Sequence, residues 1–299
     1  MKFPLSWLRD YIKIDCSSEE LVDKLTMAGL EVEQVATIGE SLSGIITGRI
    51  DCITKHPDAD KLVITSVFDG KTHHQIVTGA SNITEGDIVP VSLPGAVLAN
   101  GTKIKSTKLR GVQSDGMLCS EAECGVTEHS AGIWILSKDT PIGIDFIDYA
   151  ILHDVILDIS ILPNRGDCQS ILGLAREIAA LTGQPFSLPP VTLSETAIDH
   201  NYSVETYSEL CPLYLGRYIT SITNTSAPLW MQRRLQLCGI RPISMIVDIT
   251  NYVLLETGHP LHAFDDQKCD QKSFSISEAA EATTITTLDG QKRSLSSQQ

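Results

Sequence analysis

Apolar and polar positions recur with two different periods along the 299 residues, and the changes of period divide the chain. Residues 1–40 carry a helical spacing: Trp7, Leu8, Tyr11 and Ile12 form one short apolar stripe, and Leu21, Leu25 and Ala28 a second. Ser17 and Glu20 stand at capping-box spacing before the second stripe and Gly29 is placed to stop it, so helix is predicted over this stretch. From residue 44 the spacing shortens. Alternating runs at 44–54, 62–68, 75–78, 88–93, 102–109 and 132–136 are separated by Gly, Pro, Asn and Asp clusters. That pattern predicts short strands closing into a small barrel.

The helical period returns after Pro163. Asp167 is placed to cap a helix with apolar positions Ile171, Leu174, Ala175, Ile178 and Leu181, ended by Gly183 and Pro185. Residues 185–200 are rich in Pro, Ser and Thr and read as a linker. Beyond it, 214–222 has strand character, Ser226 and Pro228 open a helix that Gly239 closes, and 244–256 forms another closed by Gly258. In that last helix Ile246, Ile249 and Val253 are expected to pack, with Asp248 and Asn251 together on another side. The final forty residues alternate weakly and end in Ser-Leu-Ser-Ser-Gln-Gln, which reads as a cut rather than a natural finish. No internal repeat is visible.

Composition narrows the class. The apolar fraction is 42%, and 21 glycines bring it to the globular average, which excludes a disordered chain. The length exceeds one ordinary domain, so two or three are expected. No stretch reaches the ~18 apolar residues of a membrane helix. Pro4, Arg9 and Asp10 interrupt the place where a signal peptide would need its apolar core, so a cytoplasmic location is expected. The net charge of −14 repels nucleic acid at long range, so any RNA contact must come from a local patch. Eight scattered cysteines without a Cys-x-x-Cys pair argue against metal binding and against a disulfide framework.

One segment offers such a patch. Lys103, Lys105, Lys108 and Arg110 lie in a stretch with no acid between Asp87 and Asp115. Alternation puts Lys103 and Lys105 on one strand face, which suits phosphate contacts; an edge strand guarded by lysines is the reading an acidic protein favours. The 55–61 turn (Lys-His-Pro-Asp-Ala-Asp-Lys) carries charges expected to be solvated. Cys119 near Glu121 could be nucleophilic only with a close histidine, and only His129 is local, so a packed thiol is expected. His73 and His74 face opposite sides of a strand and cannot chelate together. The Gly111 to Gly116 spacing lacks the Lys-Ser/Thr of a phosphate loop. Near the C-terminal end, the turn at 258–260 is expected to aim His262 back over the helix end, gathering Thr250, Asn251 and an imidazole. A core histidine bonded to backbone is the alternative.

The order of these segments resembles the bacterial phenylalanine–tRNA ligase beta subunits. The resemblance rests on Met1-Lys2-Phe3 with Trp7-Leu8, on Met27-Ala28-Gly29-Leu30-Glu31-Val32, and on His56-Pro57-x-Ala59-Asp60-Lys61-Leu62. It continues through Lys108-Leu109-Arg110-Gly111, Gly116-Met117-Leu118-Cys119-Ser120 and Pro163-Asn164-Arg165-x-Asp167-Cys168. Val247-Asp248-x-Thr250-Asn251-Tyr252-Val253 through His262-Ala263-Phe264-Asp265 is its most specific block. His259 stands where the family carries Gln before the proline. The resemblance implies an α+β multidomain fold: a helical or mixed N-terminal domain from 1–39 plus 151–199, an inserted OB-fold β-barrel at 40–150, and part of an α/β editing domain at 200–299.

The same resemblance implies a function. The family's beta subunit binds tRNA(Phe) and hydrolyses tyrosyl-tRNA(Phe) within an ATP-dependent complex, an alpha2beta2 heterotetramer with the alpha subunit. ATP and Mg2+ would bind outside these residues, and no membrane or DNA partner is implied. Editing is physically expected, because an apolar pocket rejects an added hydroxyl only ~100-fold. Thr250 and Asn251 would hold the amino acid's polar end, and His262 would orient ester and water beside Pro260. The carboxylate that senses the tyrosine hydroxyl would lie past residue 299, leaving this stretch alone inactive. A stand-alone tRNA-binding module and a free-standing trans-editing hydrolase are the competing expectations.

Overall fold

A computed structural model describes residues 1–299 apart from 196–200, 224–225, 270, 280–282, 288 and 297–299. The chain opens with β1 (Lys2–Pro4), α1 (Leu5–Leu8), α2 (Ser18–Met27) and β2 (Glu31–Ile38). Ser17 caps α2 as its spacing predicts, its Oγ accepting the Glu20 N–H at 3.2 Å. Residues 31–38 are a strand rather than the helix expected over the first forty residues. Val32, Val35, Thr37 and Ile38 are β-branched, and the strand gains a partner more than a hundred residues away that local spacing does not reveal.

The middle of the chain is β-rich: β3 (Ser43–Lys55), β4 (Val63–Phe68), β5 (His73–Thr78), β6 (Ile88–Val97), β7 (Thr107–Leu109), β8 (Val112–Ser114) and β9 (Met117–Leu118). Five of these form one antiparallel sheet in the order β5-β4-β3-β6-β9, and β7 pairs with β8 as a separate hairpin. Register shifts at Ile50/Cys52 and Ser43/Ile45 bend the long β3 and curl the sheet. Ile50, Val67, Ile76, Val89, Val91 and Leu118 make one buried cluster, and Ile45, Leu98, Ile104, Cys119 and Phe146 belong to a second. Two expected strands are reduced. Residues 132–136 contribute a single bridge, Leu136 to Ile88, and of 102–109 only the last three residues form a ladder, Lys103 bridging singly to Val97.

After α3 (Phe146–Tyr149), β10 (Asp154–Ser160) becomes the centre of a three-stranded antiparallel sheet, β1-β10-β2. A 3-10 turn, Pro163–Cys168, leads into α4 (Ile171–Thr182). The cap of α4 is Ser170, whose Oγ accepts the Gly173 N–H at 3.0 Å, and not Asp167. Asp167 is drawn off by Arg165, and its carbonyl would lie 1.8 Å from a Cβ at position 173, so only glycine lets turn and helix meet there. Phe3, Trp7, Leu8, Leu21, Leu157, Leu174 and Ile178 are the buried heart of this region.

The remaining elements are β11 (Ser203–Thr206), α5 (Leu229–Leu237), α6 (Met245–Thr257), β12 (Ser273–Ile276), β13 (Thr283–Thr286) and β14 (Lys292–Leu295). They divide between two compact units: Met1–Pro189 with Ser226–Leu261, and Pro190–Thr225 with His262–Gln299. Thus α5 and α6 pack on the N-terminal core rather than with the rest of 200–299. The physical reason is an aromatic and ionic cluster. Trp7 stacks on Tyr252 with centroids 4.5 Å apart, and the Arg234 guanidinium lies 5.3 Å from Trp7 and pairs with Asp10 at 2.6 Å. Arg234 also donates to the Tyr252 hydroxyl at 2.9 Å, while the Tyr11 hydroxyl donates to Glu256.

That cluster also rotates α6 away from expectation. Ile246 and Ile249 are 40% and 39% exposed, whereas Asp248 and Tyr252 are buried. Asp248 Oδ1 accepts the Ile243 N–H at 2.7 Å, closing the loop ahead of the helix, and Tyr252 follows one turn later toward Arg234. In the second unit β11 pairs in parallel with β12 and β13 antiparallel with β14. The strand expected at 214–222 does not form there. Among the described residues no helix is long and apolar enough to cross a membrane.

Candidate nucleic-acid interface

Ile104 fixes the basic segment. Its N–H donates to the Ala96 carbonyl at 2.8 Å, its carbonyl accepts the Gly95 N–H at 2.9 Å, and its side chain is buried. Lys103 and Lys105 on either side are therefore turned outward, as alternation predicts, although the segment is no regular strand. Both line a cleft of about 730 Å³ whose other walls include 77–80, Thr107, Leu109, Ser114, 116–118, Ser120 and 130–133. Glu123 also reaches the cleft, but its Oε2 accepts both the N–H and the Oγ–H of Ser120 at 2.6 Å.

Lys108 and Arg110 are exposed on the β7–β8 hairpin beside this cleft. The two turn residues, Arg110 and Gly111, both have positive φ (45° and 86°), the left-handed pair that a two-residue hairpin loop requires. None of Lys103, Lys105, Lys108 and Arg110 makes an ion pair among the described residues. The charge is available for an incoming anion.

The 55–61 turn meets the same hairpin. Lys55, Asp58 and Lys61 are exposed as expected, but His56 between them is buried. Its Nδ1 accepts the Asp58 N–H at 3.0 Å, so the neutral ring carries its proton on Nε2 and donates it to the Leu109 carbonyl, also at 3.0 Å. Sequence reasoning missed this strut. The only signal was the His-Pro turn itself, because the acceptor lies fifty-three positions away.

Other candidates resolve into structural roles. Cys119 is fully buried with its Sγ 2.7 Å from Ser92 Oγ, and the neighbouring Cys124 thiol is pushed up by its hydrogen bond with Cys119 and by burial, which makes an inert pair. His73 pairs with Asp51 at 3.0 Å and His74 with Asp69 at 2.8 Å, two separate partners. Asp69 is held well below the usual carboxylate range, first by the Thr72 N–H and then by His74. Asp167, Cys168 and Glu177 bring metal-type donor atoms together, but the Arg165 guanidinium already bonds all three, at 3.1, 2.9 and 2.9 Å.

Thr250, Asn251 and Pro260 fall in the first unit and His262 in the second. Thr250 and Asn251 are half-buried on α6, and the Thr250 hydroxyl donates to the Val247 carbonyl at 2.8 Å. Asn251 precedes the left-handed Gly258 cap by about two turns, roughly 10 Å along the axis. Pro260 is exposed. The His262 ring is exposed and packs against Phe264 at 4.4 Å, which in turn meets Phe274 at 4.8 Å.

Two family models match. Residues 45–145 match a tRNA binding domain, which takes in the curled sheet, the cleft, the hairpin and the His56 turn; residues 210–299 match a B3/4 domain. A chain of mixed α/β architecture thus carries its cleft and its exposed cations on the segment that matches a tRNA binding domain. Over 99% of its length the chain is 45% identical to the phenylalanine--tRNA ligase beta subunit of Clostridium acetobutylicum, covering 38% of that protein. It is 46% identical over its full length to that of Desulfotalea psychrophila and 43% identical over 99% to that of Syntrophus aciditrophicus, covering 37% of each. The chain belongs to the phenylalanine--tRNA ligase beta subunit family. It spans a little over a third of the length of these relatives.

Proposed function

We propose that the chain is the tRNA-binding and editing portion of a beta subunit that works with an alpha subunit, as an alpha2beta2 complex in the cytoplasm, to charge tRNA(Phe). The observation that carries the reading is the coincidence of four unpaired cations and a cleft with the residues that match a tRNA binding domain. In this reading 40–150 is an OB-fold barrel whose cations meet tRNA phosphates, and ATP and Mg2+ act elsewhere in the complex. Thr250, Asn251 and Pro260 hold the misattached amino acid, and His262 orients a water toward its ester carbonyl. Water adds to that carbon, the bond to the ribose oxygen breaks, and the ribose hydroxyl leaves carrying the proton.

Two measurements test it. Replacing Lys103, Lys105, Lys108 and Arg110 by Ala should lower the salt dependence of tRNA binding by about three units of slope; an unchanged slope makes the segment a guarded edge. In the full-length subunit assembled with its partner, His262→Ala should slow tyrosyl-tRNA hydrolysis by ~100-fold or more while phenylalanine charging stays intact. His259→Ala is the control and should edit normally. Loss of charging along with editing would make His262 a folding residue.

A further inference from the structure

His56 is the one buried histidine of the β-rich region, and both its ring nitrogens are spent on backbone. The bond at Nδ1 closes its own turn onto Asp58. The bond at Nε2 crosses to Leu109, between Lys108 and Arg110. The His56 N–H also donates to the Leu62 carbonyl at 3.2 Å, so residues 56, 62 and 109 lie side by side. Each has a cation as chain neighbour: Lys55, Lys61, and the pair Lys108 and Arg110. Asp58 and Asp60 on the same turn leave the cluster with a positive excess of two.

Without the cross-bond nothing in the ladder pairing ties the hairpin to this turn. The β8 end of the hairpin is held to β5, Ser114 Oγ accepting the Val77 N–H at 3.0 Å and the Gln113 carbonyl accepting Gln75 Nε2 at 2.7 Å, but its β7 end and tip have only a ladder of three residue pairs, which is marginal in water by itself. We propose that His56 is a positioning residue for RNA: it pins the β7–β8 hairpin to the 55–62 turn, making Lys55, Lys61, Lys108 and Arg110 one preordered phosphate-binding surface that extends the cleft's lysines. The proposal rests on the tRNA-binding reading. Preordering raises affinity by removing the cost of fixing the hairpin on binding, without adding a contact.

Two substitutions separate the two bonds. Gln at 56 can still donate from its Nε2 to the Leu109 carbonyl, whereas Asn keeps only an acceptor for the Asp58 N–H. With the 299-residue chain and a tRNA(Phe) transcript, His56→Asn and His56→Ala should weaken binding about fivefold or more at unchanged salt slope, since every cation remains. His56→Gln should bind within about twofold of the parent. Combined with Lys108→Ala and Arg110→Ala, the His56→Ala loss should largely vanish, because a hairpin without cations gains nothing from being placed. Equal binding by the Asn and Gln variants, or full additivity with the hairpin charges, overturns the proposal. Amide hydrogen exchange tests the pinning without RNA: protection of 107–114 should fall in His56→Asn but not in His56→Gln, and unchanged protection in both overturns it. A parent chain that shows no salt-dependent tRNA binding sinks the tRNA reading instead, and the exchange result tells the two failures apart.

Discussion

Arg110 occupies a left-handed backbone position at the hairpin tip, with φ of 45°. That conformation costs an L residue about 1–2 kcal/mol, and Asn or Gly is the residue a turn of this kind ordinarily takes. A long cation held there at the expense of local stability fits a side chain retained for its charge. Arg110→Asn should therefore leave thermal stability equal or higher, while the salt slope of tRNA binding falls by about 0.7–0.9. Calorimetry and a salt titration read the two quantities separately, and an unchanged slope would show that Arg110 meets no phosphate. The basic segment was legible because its signal is local: four cations, no acids and one inward Ile. His56 was not, since its burial depends on a carbonyl fifty-three residues on.

Helix α6 shows where periodicity misleads at the scale of an element. Its apolar stripe, Ile246, Ile249 and Val253, is what hydrophobic spacing selects as the packing side, yet two of the three are exposed. Two polar groups decide the rotation: Asp248 bonds the loop before the helix, and Tyr252 stacks on Trp7 while its hydroxyl accepts from Arg234. Burial pushes the Tyr252 hydroxyl up to about 12, so it stays protonated near neutral pH and accepts from Arg234. Tyr252→Phe keeps the stacking on Trp7 but removes that acceptor, and should cost about 1.5–3 kcal/mol in urea unfolding. Arg234→Ala should cost more, because it also leaves Asp10 unpaired and uncovers Trp7. A cycle between the two should show less than additive loss; full additivity would mean the hydroxyl and guanidinium act independently. The helix ends were legible, Gly183 and Gly258 both forming left-handed caps where the spacing stops. Strands β2 and β10 were not, because each is defined by a partner remote in sequence.

For the whole molecule, charge and composition gave the class, and the order of short motifs gave the family. The sheet that joins residues 2–38 to 154–160 agrees with the expected pairing of 1–39 and 151–199, whereas the return of α5 and α6 to that core was out of reach. A proline-rich stretch at 185–200 looks like a divider, and the N-terminal core does pause at Pro189. It then resumes at Ser226, because Trp7 and Tyr11 require Tyr252 and Glu256 against them. This interrupted core puts a clock on the protein's birth. A ribosome adding ~5–20 residues per second needs roughly 4–14 s to pass from residue 189 to residue 261. Through that interval the face of the nascent core that awaits Tyr252 is open to solvent. The curled sheet, whose strands are all encoded before residue 119, can pair meanwhile. Two parts of one unit thus mature at different moments of synthesis, and the waiting aromatic face is where a chaperone would find the newborn chain.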